Sequence, residues 1–307
     1  MDSKQTTNHL LMVRPAHFAF NEETAGSNAF QHRSCDSASN DLQRQALEEF
    51  DGYVSLLRNN GVKVTVVQDT AEPFTPDSIF PNNDFTTHND GTERLLVFYP
   101  MCAPNRRKER EKLRQALRQM EFDKVIDLTH WEKEGHFLEG TGSLILDRRH
   151  HIAYACLSPR TDEDVLREWA RETGYDFFLF NSEDENGTAV YHTNVMMTVG
   201  TNVAIVCMES IRNDVQRQQL RSILKANGKE LVDITIAQMH QFAGNMLEVH
   251  NNKGEQLLVM SNTARLSLTE KQMNVITHHM RIVAPDIHTI ETVGGGSARC
   301  MIAEIFE

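Results

Sequence analysis

No stretch of this 307-residue chain approaches the roughly 20 consecutive apolar residues that a membrane helix needs; its apolar runs stop after a handful. The opening MDSKQTTNHLLMV also lacks the apolar core of a signal peptide, so a cytoplasmic location away from membranes is expected. Positive charge is in deficit. Lys and Arg total 31 against 43 Asp and Glu, a net charge of −12, which argues against a nucleic-acid surface because neutralising phosphates takes excess basic side chains. Cysteine is scarce: the five residues, an odd number without close pairing, speak against a disulfide scaffold and leave at least one thiol free. Histidines number 14, but HExxH, CxxC and CxxCH are missing, so no metal site is expected. No strand-like run leads into GxGxxG or GxxxxGK(S/T), and no cofactor is expected either. With no Pro/Ser-rich linker or low-complexity run to divide it, the chain reads as a single domain over 1–307.

What is present is an alternation. Buried-strand signals, β-branched and apolar, occur at Leu10 to Val13, Val62 to Val67, Leu95 to Phe98, Ser143 to Leu146, Ile152 to Ala155, Val203 to Val206, Leu257 to Met260 and Met301 to Phe306. Helical stripes lie between them. Asp41 to Asn60 carries Leu42, Ala46, Leu47, Phe50, Val54 and Leu57 on one face and ends at Asn59-Asn60-Gly61. Asn105 to Phe122, Thr161 to Thr173 with Thr161 as cap, Asn213 to Asn227 and Thr269 to Val283 behave alike. The pattern repeats about every sixty residues, roughly five times, which means an α/β fold. Asn21 to Ser39 is a long polar loop, either a lid over a site or a surface loop.

Three residues stand in settings that suit chemistry. Cys300 ends the glycine-rich VGGGSARC just before an apolar run, with Arg299 beside it; such a thiol can reach a cleft, and the plain alternative is a packed structural cysteine. Cys156 and Cys207 end apolar strands and read as packing residues, while Cys35 lies in the polar loop and Cys102 follows the proline-bounded Pro100-Met101. His192 in VYHTNV sits at the head of an apolar run, as an acid/base group at a strand mouth does. Glu139 in FLEGTGS lies between Leu138 and two glycines, an odd place for a solvated charge. Arg106 in APNRRKE opens a helix, where a cation opposes the dipole, and Arg160 in LSPRT precedes another. Each could hold a carboxylate through its fork or be an ordinary solvated charge.

Taken in order, these motifs resemble the guanidino-group-modifying superfamily of arginine deiminases, dimethylarginine hydrolases, amidinotransferases and succinylarginine dihydrolases. The resemblance implies the pentein fold, a five-bladed α/β propeller of ββαβ units around a substrate channel. GGGSARCM is similar to GGGxRCM of the deiminases, which implies Cys300 as nucleophile. EGTG stands at the place of EGGD and YHTNV at that of HxD, implying Glu139 as the catalytic carboxylate and His192 as acid/base. APNRRKE and LSPRT resemble the hydrolase segments APSRRKE and LSKRT, whose arginines hold the substrate α-carboxylate, hence Arg106 and Arg160. VRPAHF, the Phe80 to Asn83 segment FPNN and Gln238 to Leu247 add likeness to a bacterial branch named for amidinotransferase or citrulline hydrolysis, and Phe80 joins the substrate-binding set.

Two departures bear on the substrate. Deiminases clamp a guanidinium between aspartates, and those two places are taken by Asn83 and Asn194, while Asp77 keeps the earlier acidic position. Amides remove counter-charge and can donate to a ureido oxygen, as carboxylates cannot. The resemblance, so modified, implies a cysteine-dependent hydrolase of a free amino acid's ureido or guanidino C–N bond. Citrulline going to ornithine, ammonia and carbon dioxide is favoured. Asp77, Asn83 and Asn194 would orient the ureido group, Glu139 would bond one of its nitrogens, and backbone amides of Ser297, Ala298 and Arg299 would stabilise developing charge. The alternatives are an arginine deiminase, dihydrolase or amidinotransferase, and, from another class, a non-catalytic pentein binding protein. The expected partner is a small amino acid, and homo-oligomerisation is left open.

Overall fold

Five of the buried runs become the middle strands of five three-stranded sheets in the structure, a computed structural model that describes residues 4–33 and 39–306. β1 (His9–Arg14) pairs in parallel with β2 (Lys63–Gln68). β3 (Phe85–Asn89), β4 (Arg94–Phe98) and β5 (Lys124–Asp127) form the second sheet, and β6 (Ile145–Asp147), β7 (Ile152–Cys156) and β8 (Asp176–Phe180) the third. The fourth holds β9 (Met197–Val199), β10 (Val203–Val206) and β11 (Glu230–Asp233); the fifth holds β12 (Leu247–His250), β13 (Gln256–Val259) and β14 (Arg281–Val283). β15 (Ala303–Glu304) returns to pair antiparallel with β1. Every sheet thus has an antiparallel first strand, a middle strand, and a parallel third strand reached through a helical crossover. This is the ββαβ blade repeated five times. In the first blade the leading strand comes from the other end of the chain, which closes the ring.

The crossover helices cover the sheets for ordinary reasons. Glu163–Thr173 buries Val165, Leu166, Trp169 and Ala170 on one face and ends at Gly174 with a left-handed φ of 73°. Its cap is Asp162 rather than Thr161: the Asp162 carboxylate accepts from the backbone N–H groups of Asp164 and Val165. Asn213 caps Asp214–Ala226 in the same manner. The first strands β3, β6, β9, β12 and β15 lie toward the common axis, where β15 neighbours β3, and β9 neighbours both β6 and β12. Each carries a buried polar side chain: Thr87, Asp147, Thr198, Glu248 and Glu304.

Several elements differ from the sequence expectation. The outer strands β5, β11 and β14 are short and mostly half-exposed, so their apolar signal is weak. β3 (FTTHN) is buried yet polar because it faces the axis. The stretch expected to be helical over 269–283 is a helix only at Glu270–His279; Ile282 and Val283 leave it to pair with Leu258 and Val259. Asn105 to Phe122 resolves into a tight 3-10 turn at Arg106–Glu109 and a helix at Arg110–Leu117. Only Ala303–Glu304 of the expected last strand pairs. The 21–39 loop holds a helical turn at Glu22–Ala25, the helix following it begins at Ser39, and Cys35 lies outside the described residues.

Candidate active site

Each first strand is entered through a tight turn, and the five turns meet at one mouth of the axis. Asn83 Nδ2 donates to the Glu139 carbonyl at 3.2 Å, and Thr193 Oγ1 to the Ser143 carbonyl at 2.6 Å. Asn245 Nδ2 donates to the Asn194 carbonyl at 3.0 Å, and the Arg299 N–H donates to Asn245 Oδ1 at 3.0 Å. Asn82, its amide oriented by its neighbours, closes the circle by donating to the Cys300 carbonyl at 2.7 Å. Cys300, His192, Glu139, Asn83 and Asn194 therefore belong to one ring of contacts, although 217 positions separate Asn83 from Cys300.

Two glycines make this crowding possible. A Cβ on Gly142 would lie 2.2 Å from Asn83 Nδ2 and 2.7 Å from His192 Nδ1. One on Gly296 would press on the Phe80 ring at 2.9 Å and on Cys300 Cβ at 3.2 Å. Phe80 is thereby the platform against which the glycine-rich loop before Cys300 packs.

The Cys300 side chain is buried, and its Sγ lies 3.2 Å from Asn245 Nδ2 and 3.6 Å from Asn194 Nδ2. Burial pushes the thiol pKa up; the Ser297 backbone, the Asn245 amide, the Arg299 charge and the Asn194 amide oppose this without cancelling it. Arg299 spends its guanidinium on Glu304 Oε2 at 2.8 Å and the Ile302 carbonyl at 2.9 Å, so it reaches the sulfur only as a nearby charge.

Glu139 and His192 form a buried pair, with Nε2 and Oε2 2.8 Å apart. Burial alone would protonate Glu139, yet the Arg160 charge and the His192 hydrogen bond outweigh it and hold the carboxyl at about 2. Burial lowers His192 to about 4 against the pull of Glu139. At neutral pH the pair is carboxylate and neutral imidazole, with the Nε2 proton toward Glu139 and a lone pair on Nδ1. Tyr191 packs beside the ring, the centroids 4.6 Å apart. The other carboxylate oxygen accepts the Cys102 N–H at 2.9 Å, so both oxygens of Glu139 already have protein partners.

The two arginines have different surroundings. Arg106 is enclosed with Glu109 (3.1 Å) and Asp84 (3.7 Å) and donates to Asn83 Oδ1 and the Phe80 carbonyl, both at 2.9 Å. Those contacts engage the fork that the sequence reading assigned to a substrate carboxylate. Arg160 lies across the Tyr191 ring, 3.5 Å from Glu139, and donates to Ser27 Oγ at 2.7 Å and the Thr24 carbonyl at 3.2 Å. Asp77 meets the same segment: its Oδ2 accepts from Asn21 Nδ2 at 2.7 Å and Thr24 Oγ1 at 3.3 Å, and its buried Oδ1 has no partner among the described residues. Asn28 and Gln31 then fasten residues 21–33 to the carbonyls of Gly295 and Val293.

Sequence reasoning missed Asn82 and Asn245, which lie in the FPNN segment and in Gln238 to Leu247 but had no chemical setting until the turns met. It also overreached. The Arg299 N–H is taken by Asn245 Oδ1, so one of the three amides of the expected cradle is already engaged. Cys156 and Cys207 are buried, their thiols pushed up to about 11, as packing residues would be. Among the described residues, His136, Asp162 and Asp164 have ligand atoms close enough for a metal, but Asp162 is already the helix cap and the partner of His136 at 2.7 Å.

Five ββαβ blades with a thiol, an imidazole and a carboxylate on the turns at one mouth define a pentein of the guanidino-group-modifying superfamily. Residues 14–307 match the family model described as N,N dimethylarginine dimethylhydrolase, eukaryotic, and the chain belongs to that family of C–N hydrolases. Solved structures agree on the fold. The N-terminal domain of ArgZ, an arginine dihydrolase from the ornithine-ammonia cycle in cyanobacteria, has a TM-score of 0.76 at 15% identity, covering 97% of this chain and 98% of that one. Against full-length ArgZ the coverage is 97% and 40%, at 14% identity and a TM-score of 0.77. A dimethylarginine dimethylaminohydrolase, solved as an adduct with S-methyl-L-thiocitrulline, has a TM-score of 0.66 at 15% identity over 99% and 100% of the two chains. No curated protein sequence matches the chain.

Proposed function

We propose that the protein is a cofactor-free, cytoplasmic cysteine hydrolase that converts citrulline to ornithine, ammonia and carbon dioxide. One observation carries the reading. Among the described residues, the side chains within hydrogen-bonding range of the Cys300 sulfur are the amides of Asn194 and Asn245, and position 83 is an amide as well. A guanidinium desolvated there would lack the paired carboxylates that compensate its charge, whereas a neutral ureido group needs none.

Arg160 and Asp77 share the 21–27 segment, and we assign them to the amino-acid end of the substrate: the guanidinium to the α-carboxylate, the unpartnered Asp77 Oδ1 to the α-ammonium. Arg106 then acts by holding Asn83 and the Phe80 carbonyl in place. His192 Nδ1 takes the thiol proton as sulfur attacks the ureido carbon, and Glu139 steadies the imidazolium that forms. The same proton goes to the leaving nitrogen, which departs as ammonia, leaving an S-carbamoyl adduct. Water, deprotonated by His192, cleaves that thioester-like bond and regenerates the thiol. The carbamic acid released loses carbon dioxide to give ornithine.

A second reading, arginine dihydrolysis, draws on a specific feature: Asn194 Oδ1 and Asp77 Oδ1 are buried acceptors without partners among the described residues, and a guanidinium is rich in donors. The deciding assay measures ornithine, citrulline and ammonia from citrulline, arginine, agmatine and methylated arginines. Equal ornithine and ammonia from citrulline, with the highest kcat/KM, supports the proposal. Preference for arginine with two ammonia per ornithine selects the second reading. No turnover of any of them, with Cys300 unreactive to a chloroacetamidine, points to a binding protein.

A further inference from the structure

We infer that Asn245 is a further catalytic residue, whose side-chain amide holds the Cys300 sulfur in its attacking position and stabilises it as thiolate by hydrogen-bond donation. It rests on the reading of Cys300 as nucleophile but not on the identity of the substrate.

The geometry fixes the amide from three sides. Asn245 is fully buried in the turn before β12. Its Oδ1 accepts the Arg299 N–H at 3.0 Å, so the nitrogen must occupy the opposite face. From there Nδ2 donates to the Asn194 carbonyl at 3.0 Å and points its remaining hydrogen at Cys300 Sγ, 3.2 Å away. Oδ1 lies farther from the sulfur, at 3.7 Å. A thiol can offer its proton weakly to Oδ1, but a thiolate can only accept, and the shorter contact is the donating one. One side chain therefore ties the nucleophile loop to the turn that carries His192 and Asn194. The segment is built to deliver it: Phe242 adopts a left-handed φ of 60°, uncommon outside glycine, just before the turn.

The charged and titratable groups facing the sulfur come from several elements. Arg299 is its chain neighbour; Tyr53, from the helix Ser39–Asn59, and Tyr191, from the turn before β9, interact with it electrostatically, and Glu139 and Asp77 act in turn on Tyr191. Burial keeps both tyrosines neutral far above physiological pH, Arg299 is already paired with Glu304, and Glu139 is turned to His192. Beside the Ser297 backbone, the amides of Asn245 and Asn194 are thus the uncharged side-chain donors to the sulfur among the described residues, and Asn245 is the closer of the two.

The test needs no substrate. The rate of Cys300 alkylation by iodoacetamide is followed against pH in wild type, Asn245→Asp and Asn245→Ser, with peptide mapping of the label and a thermal melt of each protein. Asn245→Asp keeps the acceptor for the Arg299 N–H but replaces the donor by an anion. Its midpoint should rise by a unit or more, slowing alkylation at neutral pH about tenfold or more. Asn245→Ser, too short to reach the sulfur, should shift it in the same direction by less and provides the readout should the aspartate variant not fold. On whichever substrate the assay above selects, kcat should fall in both variants while KM moves little. Midpoints that superimpose on wild type in a folded variant overturn the inference. A label that maps away from Cys300 in wild type overturns the nucleophile reading itself, which is a separate outcome.

Discussion

At the residue scale the site is a set of amides around a sulfur, and each amide has a different job. Cys300→Ser should abolish turnover and leave the thermal melt nearly unchanged, since a hydroxyl fills the same place but is a far weaker nucleophile; substantial residual activity would exclude this residue. The asparagines separate further. Asn83 is committed on both faces, to Arg106 and to the Glu139 carbonyl, so an aspartate there would be neutralised by Arg106. Asn194 has an unpartnered Oδ1, and an aspartate there would add an uncompensated charge beside the sulfur. Asn194→Asp should therefore move the kcat/KM ratio toward arginine by on the order of tenfold, and Asn83→Asp by much less. Total activity should drop in Asn194→Asp because the new anion disfavours the thiolate. A ratio that moves toward citrulline, measured on both substrates under identical conditions, contradicts the amide argument.

At the scale of elements, two arginines that look alike in sequence belong to different structures. Arg106 sits inside a carboxylate cage formed by the turn Arg106–Glu109 and Asp84. Truncating it leaves the buried Glu109 and Asp84 without the guanidinium they share, so Arg106→Ala should cost about 3–5 kcal/mol of stability, seen as a lowered urea midpoint. Arg160 holds the 21–27 segment and faces Glu139. Arg160→Ala should instead raise KM for α-amino-acid substrates, about 1.5–3 kcal/mol for a charged hydrogen-bonded contact, with a much smaller effect on a decarboxylated analogue. Equal losses on both substrates would make Arg160 structural. Of the helix ends, Asp162 offers a simple control: Asp162→Ala should cost about 1 kcal/mol through the lost cap while leaving kcat alone.

At the scale of the whole molecule, the Glu139–His192 pair buried in the ring makes stability depend on pH. His192 has its folded-state value lowered to about 4 from 6.5 by burial. Between those limits the unfolded chain binds a proton that the folded chain refuses, so this group lowers stability as pH falls from 6.5 to about 4. Glu139, held at about 2 from 4.5, adds stability that is complete above its unfolded value and is lost progressively as pH falls from 4.5 to about 2. Asp84, raised to about 6, and Asp77 and Glu109, also raised by burial, pull the other way on mild acidification, while buried His88 acts in the same sense as His192. The measurable quantity is thus a difference. The loss of urea stability between pH 7 and pH 4.5 should be smaller in His192→Gln than in wild type, and an identical slope would mean that His192 is not buried as a neutral base.

The sequence by itself determined the five middle strands, because β1, β4, β7, β10 and β13 are flanked on both sides within their sheets and their apolar runs are nearly continuous. It also determined the repeat of helix and strand, and it singled out Cys300, His192 and Glu139, since glycines and polar islands at strand entrances are visible in one dimension. The outer strands and the polar axial strand β3 were not legible: the former are half-exposed, and the latter is polar because it faces other first strands across the axis. Only the tertiary structure decided that Arg106 serves Asn83, that both oxygens of Glu139 are engaged, and that Asn82 meets the Cys300 carbonyl and Asn245 its sulfur. Local patterns report whether a residue is buried and which way the chain turns. Which buried donor meets which acceptor depends on closing the ring through β15, a pairing between the two ends of the chain that no local pattern contains.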